Sequence, residues 1–230
     1  MIRARWYLNK RNSYAYPAVA LTKTSTTFRT LFFQNLKQME RHFSECLLSR
    51  SNARVTLGYL GIVYWGHYSD SKAVVRHKRA MQKVRLAKDA LRQRRITDSA
   101  VAKAIRAASA CLHRGMCGEA ISELMPLPQL GFAFASKVCA FLSPERCGVI
   151  DSIIATNHKR FRFATYGCGS RRYVAARKIN STRYQQYCRF LQQKAAWLNG
   201  KGSALKWQDS DGKRYPWRAV DVERALYVVK

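Results

Sequence analysis

Leu127-Pro128-Gln129-Leu130-Gly131-Phe132-Ala133-Phe134-Ala135 lies near the middle of this 230-residue chain, and Asp151 stands twenty positions beyond Gly131, in Gly148-Val149-Ile150-Asp151-Ser152. Apolar residues recur at helical spacing on both sides of the Leu-Pro-x-apolar-Gly stretch, so it reads as a tight turn between two apolar helices. Pro128 cannot continue a preceding helix, and Gly131 supplies a residue without Cβ where the chain turns. A helix that starts there presents backbone N–H groups to an anion. Pro144 breaks the second helix, and Asp151, ahead of Ser152-Ile153-Ile154-Ala155, has the chemistry of an N-cap for the next.

Working outward, composition restricts what such a turn can serve. There are 42 Lys and Arg against 13 Asp and Glu, a formal charge of +29, and the pI is about 10.4. The implied partner is a polyanion, with nucleic acid ahead of an anionic membrane surface. A hydrophobic content of 47% with 12% aromatics excludes a disordered basic tail. The length suits one domain over 1–230, with a basic N-terminal segment over 1–30 whose Trp6, Tyr7, Tyr14 and Tyr16 mark it as packing material rather than a transit peptide.

Seven cysteines, at 46, 111, 117, 139, 147, 168 and 188, are odd in number, form no CxxC pair and lie in apolar surroundings. That usage predicts buried thiols in a reducing compartment, with no metal site and no cofactor. The five histidines show no metal-ligand spacing. No apolar run is long enough to span a bilayer, so the expectation is a soluble protein that is not secreted, placed in a prokaryotic cytoplasm or another DNA-containing compartment.

Helical periodicity recurs in the longer windows, and no internal repeat appears, so the fold class predicted is all-α. Helices are expected over 28–49, 71–95, 97–113, 115–124, 151–157, 182–198 and 221–229, whereas 55–68 fits either a buried helix or a short strand. The 71–95 segment joins a narrow apolar stripe of Val74, Met81, Val84 and Leu91 to ten cationic residues, a face suited to polyanion contact. Farther on, Lys159-Arg160-Phe161-Arg162-Phe163 and Arg171-Arg172 interleave cations with rings, suiting either a strand-binding groove or an amphipathic turn with its phenylalanines in the core.

The stretch from 118 to 157 resembles the hairpin and catalytic aspartate of the helix-hairpin-helix DNA glycosylases, whose pattern is Leu-Pro-Gly-Val-Gly-x-x-x-Ala with an aspartate at this offset. Within that family the 8-oxoguanine branch is the most similar. Gln129 replaces the first glycine, and Ala135 matches the small residue. The resemblance implies two helical lobes around a cleft and a monomer acting on double-stranded DNA that carries a damaged or modified base. It also implies a hairpin, with Gln129, Gly131 and Phe132, docked on backbone phosphate. In that family Asp151 would be catalytic, a role compatible with capping. Bifunctional members carry a nucleophilic lysine two residues after the second glycine, where this chain has Ala133. Lys137, one helical turn later, is either an amine nucleophile or a DNA-facing lysine. Arg160, Arg162, Arg171 and Arg172 are further DNA-contact candidates, and Trp65, His67 and Tyr68 are candidates for the pocket of a flipped base. The competing reading is a non-catalytic basic protein whose hairpin grips phosphates while Asp151 only caps a helix.

Overall fold

The computed structural model describes residues 2–23, 27–68, 73–167 and 172–228. Among them the chain is mostly helical, with α1 (Ile2–Asn12), α2 (Leu36–Leu47), α3 (Asn52–Tyr68), α4 (Ala73–Gln93), α5 (Asp98–His113), α6 (Cys117–Leu124), α7 (Phe132–Leu142), α8 (Ser152–Asn157), α9 (Lys178–Asn199) and α10 (Ala219–Tyr227). Three short antiparallel hairpins join them: β1–β2 (Val19–Lys23, Phe28–Phe32), β3–β4 (Thr165–Tyr166, Tyr173–Val174) and β5–β6 (Trp207–Gln208, Arg214–Tyr215). No helix of the described residues is long and apolar enough to cross a membrane.

α3 is the central element. It is apolar all round, and such a helix must be enclosed. Val55, Tyr59, Ile62, Val63, Tyr64 and Trp65 are buried, and the helix packs against α2, α4, α5, α7 and β1. The ambiguous 55–68 segment is therefore helix; at 17 residues it exceeds the length of an ordinary strand.

The helix expected over 28–49 divides. Phe28–Phe32 pairs with Val19–Lys23 in the register Val19↔Phe32 to Lys23↔Phe28, and the helix begins only after Asn35, whose side chain accepts from the Gln38 amide at 2.9 Å. Aromatic and β-branched residues in Phe-Arg-Thr-Leu-Phe favour a strand, and periodicity alone missed that. Thr97 caps α5 as expected, accepting from Ala100 N. The cap expected at 69–71, like Arg171 and Cys168, lies outside the described residues. α4 buries Ala80, Val84, Ala87 and Leu91 and exposes Lys78, Arg79, Arg85, Lys88 and Arg92.

A buried ionic cluster fastens both chain ends to the body. Arg218 bonds Glu40 Oε2 at 2.8 Å and Asp221 Oδ2 at 2.7 Å, Arg11 reaches Asp221 Oδ1 at 3.3 Å, and Arg224 reaches Glu40 Oε1 at 2.5 Å. These contacts link α1, α2 and α10. Asn180, at the start of α9, holds the β3–β4 hairpin by accepting from Ala164 N and donating to the Ala164 and Ala175 carbonyls.

Candidate nucleic-acid interface and catalytic centre

α6 and α7 enclose the 125–131 turn. Leu130 N–H donates to the Leu127 carbonyl at 3.1 Å, with Pro128 and Gln129 at the two central positions. Gln129 has φ 62°, the left-handed region. Proline followed by a positive φ is the type II turn, which favours glycine at its second central position. The residue whose backbone needs glycine-like freedom is thus Gln129, whereas Gly131 has an ordinary extended φ of −63°. This corrects the role expected of Gly131. The Pro128 carbonyl accepts from the buried Tyr59 hydroxyl, which anchors the turn to α3.

Gly131 is the N-cap of α7 and makes no side-chain cap bond; a Cβ there would meet nothing within 4 Å. Gly131 has no side chain to cap α7, and its carbonyl accepts from Phe134 N at 2.9 Å and Ala135 N at 3.0 Å, so the amides of Phe132 and Ala133 stand foremost at the exposed Gly131. Gln129 and Gly131 are exposed, but Phe132 is not. Its ring packs beside Phe163 and Tyr184 at 1% exposure, because the first apolar position of α7 points inward. Phe132 is therefore core, not a DNA contact.

Asp151 caps α8, with Oδ1 accepting from Ile153 N at 2.9 Å and Ile154 N at 3.0 Å, and it is partly exposed. The segment leading to it is tied to α7 through Ser136, whose Oγ accepts from Ile150 N at 3.0 Å and donates to the Ala133 carbonyl at 2.7 Å. Lys137, the next residue of α7, is 7% exposed, with Nζ 4.5 Å from the Phe134 ring centre. Phe134 stacks on His67 at 4.6 Å. Gly66 makes this approach possible, since a Cβ there would collide with the Phe134 ring and stand 3.3 Å from Lys137 Cε. Burial and the Lys137, Lys83 and Arg79 cations press the His67 imidazole down to about 4, so it is neutral near pH 7.

Sequence reasoning missed Glu223 of α10. Burial lifts its carboxyl to about 8 against the pull of Arg224; Asp151 pushes it up further, and Lys137 draws it down. Its electrostatic partners therefore include both Asp151 and Lys137. Nothing in its spacing marks it, because it lies 72 residues beyond Asp151 on a helix that is buried on nearly every side.

Of the pocket candidates, His67 adjoins Lys137, and Tyr68 is half-buried near Tyr64. Trp65 points the other way: its indole donates to Pro17 O and meets Phe141 and Tyr16 at 3% exposure, so it is core and not a pocket wall. Arg160, Arg162 and Arg172 are exposed. Phe163 is buried against Tyr187 and Phe132, leaving it unavailable to bases. Arg160 instead lies 3.9 Å over Phe190, at the edge of a cavity of about 570 Å³ that also involves Arg3, Trp6, Lys194 and Trp197. That cationic and aromatic cavity brings α1 to α9, a juxtaposition invisible in the sequence. Four surface cavities, this one among them, are lined by neither Asp151 nor Lys137.

No family model matches the chain, and no curated protein or solved structure matches it either.

Proposed function

We propose that the chain is a DNA glycosylase with a helix-hairpin-helix arrangement, hydrolysing the N-glycosidic bond of a damaged or modified base after the nucleotide is flipped from the stack, in repair or in defence against modified phage DNA. The observation that carries this reading is the Ser136–Ile150 tie, which couples the helix bearing Lys137, the one that follows the turn with exposed Gln129 and Gly131, to the segment bearing Asp151. In this reading the hairpin amides grip a backbone phosphate, and the flipped sugar is brought against Asp151. Asp151 is held by its helix cap, so its carboxylate stabilises the oxocarbenium-like sugar and orients water. Glu223, whose carboxyl burial lifts to about 8, is protonated near neutrality and adds no negative charge of its own there. Lys137 supplies positive potential, and the enzyme leaves an abasic site without cutting the strand.

Duplexes bearing assorted modified bases, incubated with wild type and Asp151→Asn and then treated with hot alkali, test the reading. The expected result is base release that falls by about 100-fold or more in the variant. Release unchanged by the substitution would remove Asp151 from the mechanism. Borohydride should trap no covalent DNA adduct; an adduct lost in Lys137→Ala would make the lysine a nucleophile.

The second reading, a basic protein that grips nucleic acid without chemistry, is favoured by the cavities, since none of the four is lined by Asp151. Tight binding with no release from any duplex would select it.

A further inference from the structure

Cys117, Cys147 and Cys188 come from three separate parts of the chain: the first residue of α6, the segment just before Asp151, and the middle of α9. Each is wholly buried, and their three sulfur atoms lie within 4.8 Å of one another, with Cys147 Sγ 3.7 Å from Cys117 Sγ. Sequence spacing showed no sign of this, because the three thiols are 30 and 41 residues apart.

We propose that Cys117, Cys147 and Cys188 form a buried site for one thiophilic metal ion, Zn²⁺ or Cu⁺, to which they supply three thiolates. Sulfurs bound at about 2.3 Å around a tetrahedral ion stand about 3.8 Å apart, which is nearly the Cys117–Cys147 separation. Ordinary apolar packing gives no reason for three thiols to meet sulfur to sulfur. The surroundings are built to hold them. Gln185, one turn before Cys188, accepts from Gly118 N at 3.1 Å and donates to the Gly115 carbonyl at 2.9 Å, which fixes the turn carrying Cys117. On the other side, Tyr184 donates to the Gly148 carbonyl at 2.9 Å, which fixes the segment carrying Cys147. Partners of this kind orient metal ligands.

The start of α6, where Cys117 stands, favours a thiolate. Binding a cation releases the thiol protons to solvent and leaves three thiolates on the ion. Cys147 is four residues before Asp151. The bound ion would therefore pin the segment that carries Asp151 to α6 and α9, whether or not the chain excises bases.

The full chain, purified without chelator, is assayed by plasma mass spectrometry for Zn and Cu, and the metal-depleted chain is titrated with Co²⁺. The expected result is about one Zn or Cu per chain, the identity deciding between the two ions, and one Co²⁺ giving an intense thiolate charge-transfer band. Cys147→Ser and Cys188→Ser should weaken Co²⁺ binding by more than about 100-fold, while Cys46→Ser should not. Should those variants fail to fold, the wild-type titration still decides. A folded wild-type chain that carries no metal and gives no such band would overturn the proposal. So would a Cys117–Cys147 disulfide in the freshly purified protein, or metal retained in both serine variants.

Discussion

Gln129 holds a left-handed backbone that glycine would adopt without strain. The conformation costs a residue with Cβ about 1–2 kcal/mol, while glycine gives back about 0.4–1 kcal/mol through its freer unfolded chain. Gln129→Gly should therefore stabilise the fold by about 0.5–1 kcal/mol and raise the melting temperature by about 1–4 °C. Calorimetry checks the sign. If the side chain also contacts phosphate, the same variant binds duplex DNA more weakly despite its greater stability. Glu223 makes a prediction about pH. Its folded carboxyl lies near 8, above the ordinary value of 4.5, mainly through burial. Between those limits the folded state holds a proton that the unfolded state has lost, so stability falls as pH rises through the window. The slope is at most about 1.4 kcal/mol per unit and flattens above about 8. Glu223→Gln should remove that slope, as read from urea midpoints across the range.

Among the elements, the ionic cluster does what no short sequence window reveals, fastening α1 and α10 to α2. Burial alone would raise Asp221, but Arg218 and Arg11 overcome it and hold the carboxyl well below its ordinary range. Its contribution is present above that range and is lost as pH falls through the depressed value. Glu40→Gln strands Arg218 and Arg224 without their full complement of negative charge. The expected loss is about 3 kcal/mol or more, a fall in melting temperature on the order of 10 °C, measured by thermal denaturation near neutral pH. Helices with strong local signals, α5 through Thr97 and α6 to α8 through the Leu-Pro turn, Pro144 and Asp151, were legible from residues alone. The strand at Phe28–Phe32 was not, because its pairing partner, Val19–Lys23, lies outside the helical window that encloses it.

Over the whole molecule, a charge of +29 makes any complex with nucleic acid sensitive to ionic strength. If about six phosphates are contacted, affinity should fall by about 10³-fold between 50 and 200 mM salt, with a straight line of log affinity against log salt. A slope near zero in a filter-binding series would exclude a phosphate-dominated interface. The sequence by itself determined the helical class, the large excess of positive charge, the position of the hairpin and the capping role of Asp151. All of these depend on composition or on residues within a turn or two of one another. Tertiary structure alone decided that Phe132 and Trp65 belong to the core, that Glu223 lies within the electrostatic reach of Asp151 and Lys137, and that three distant thiols meet. Burial and charge proximity are properties of packed surfaces, and packing joins residues that the order of the chain keeps apart.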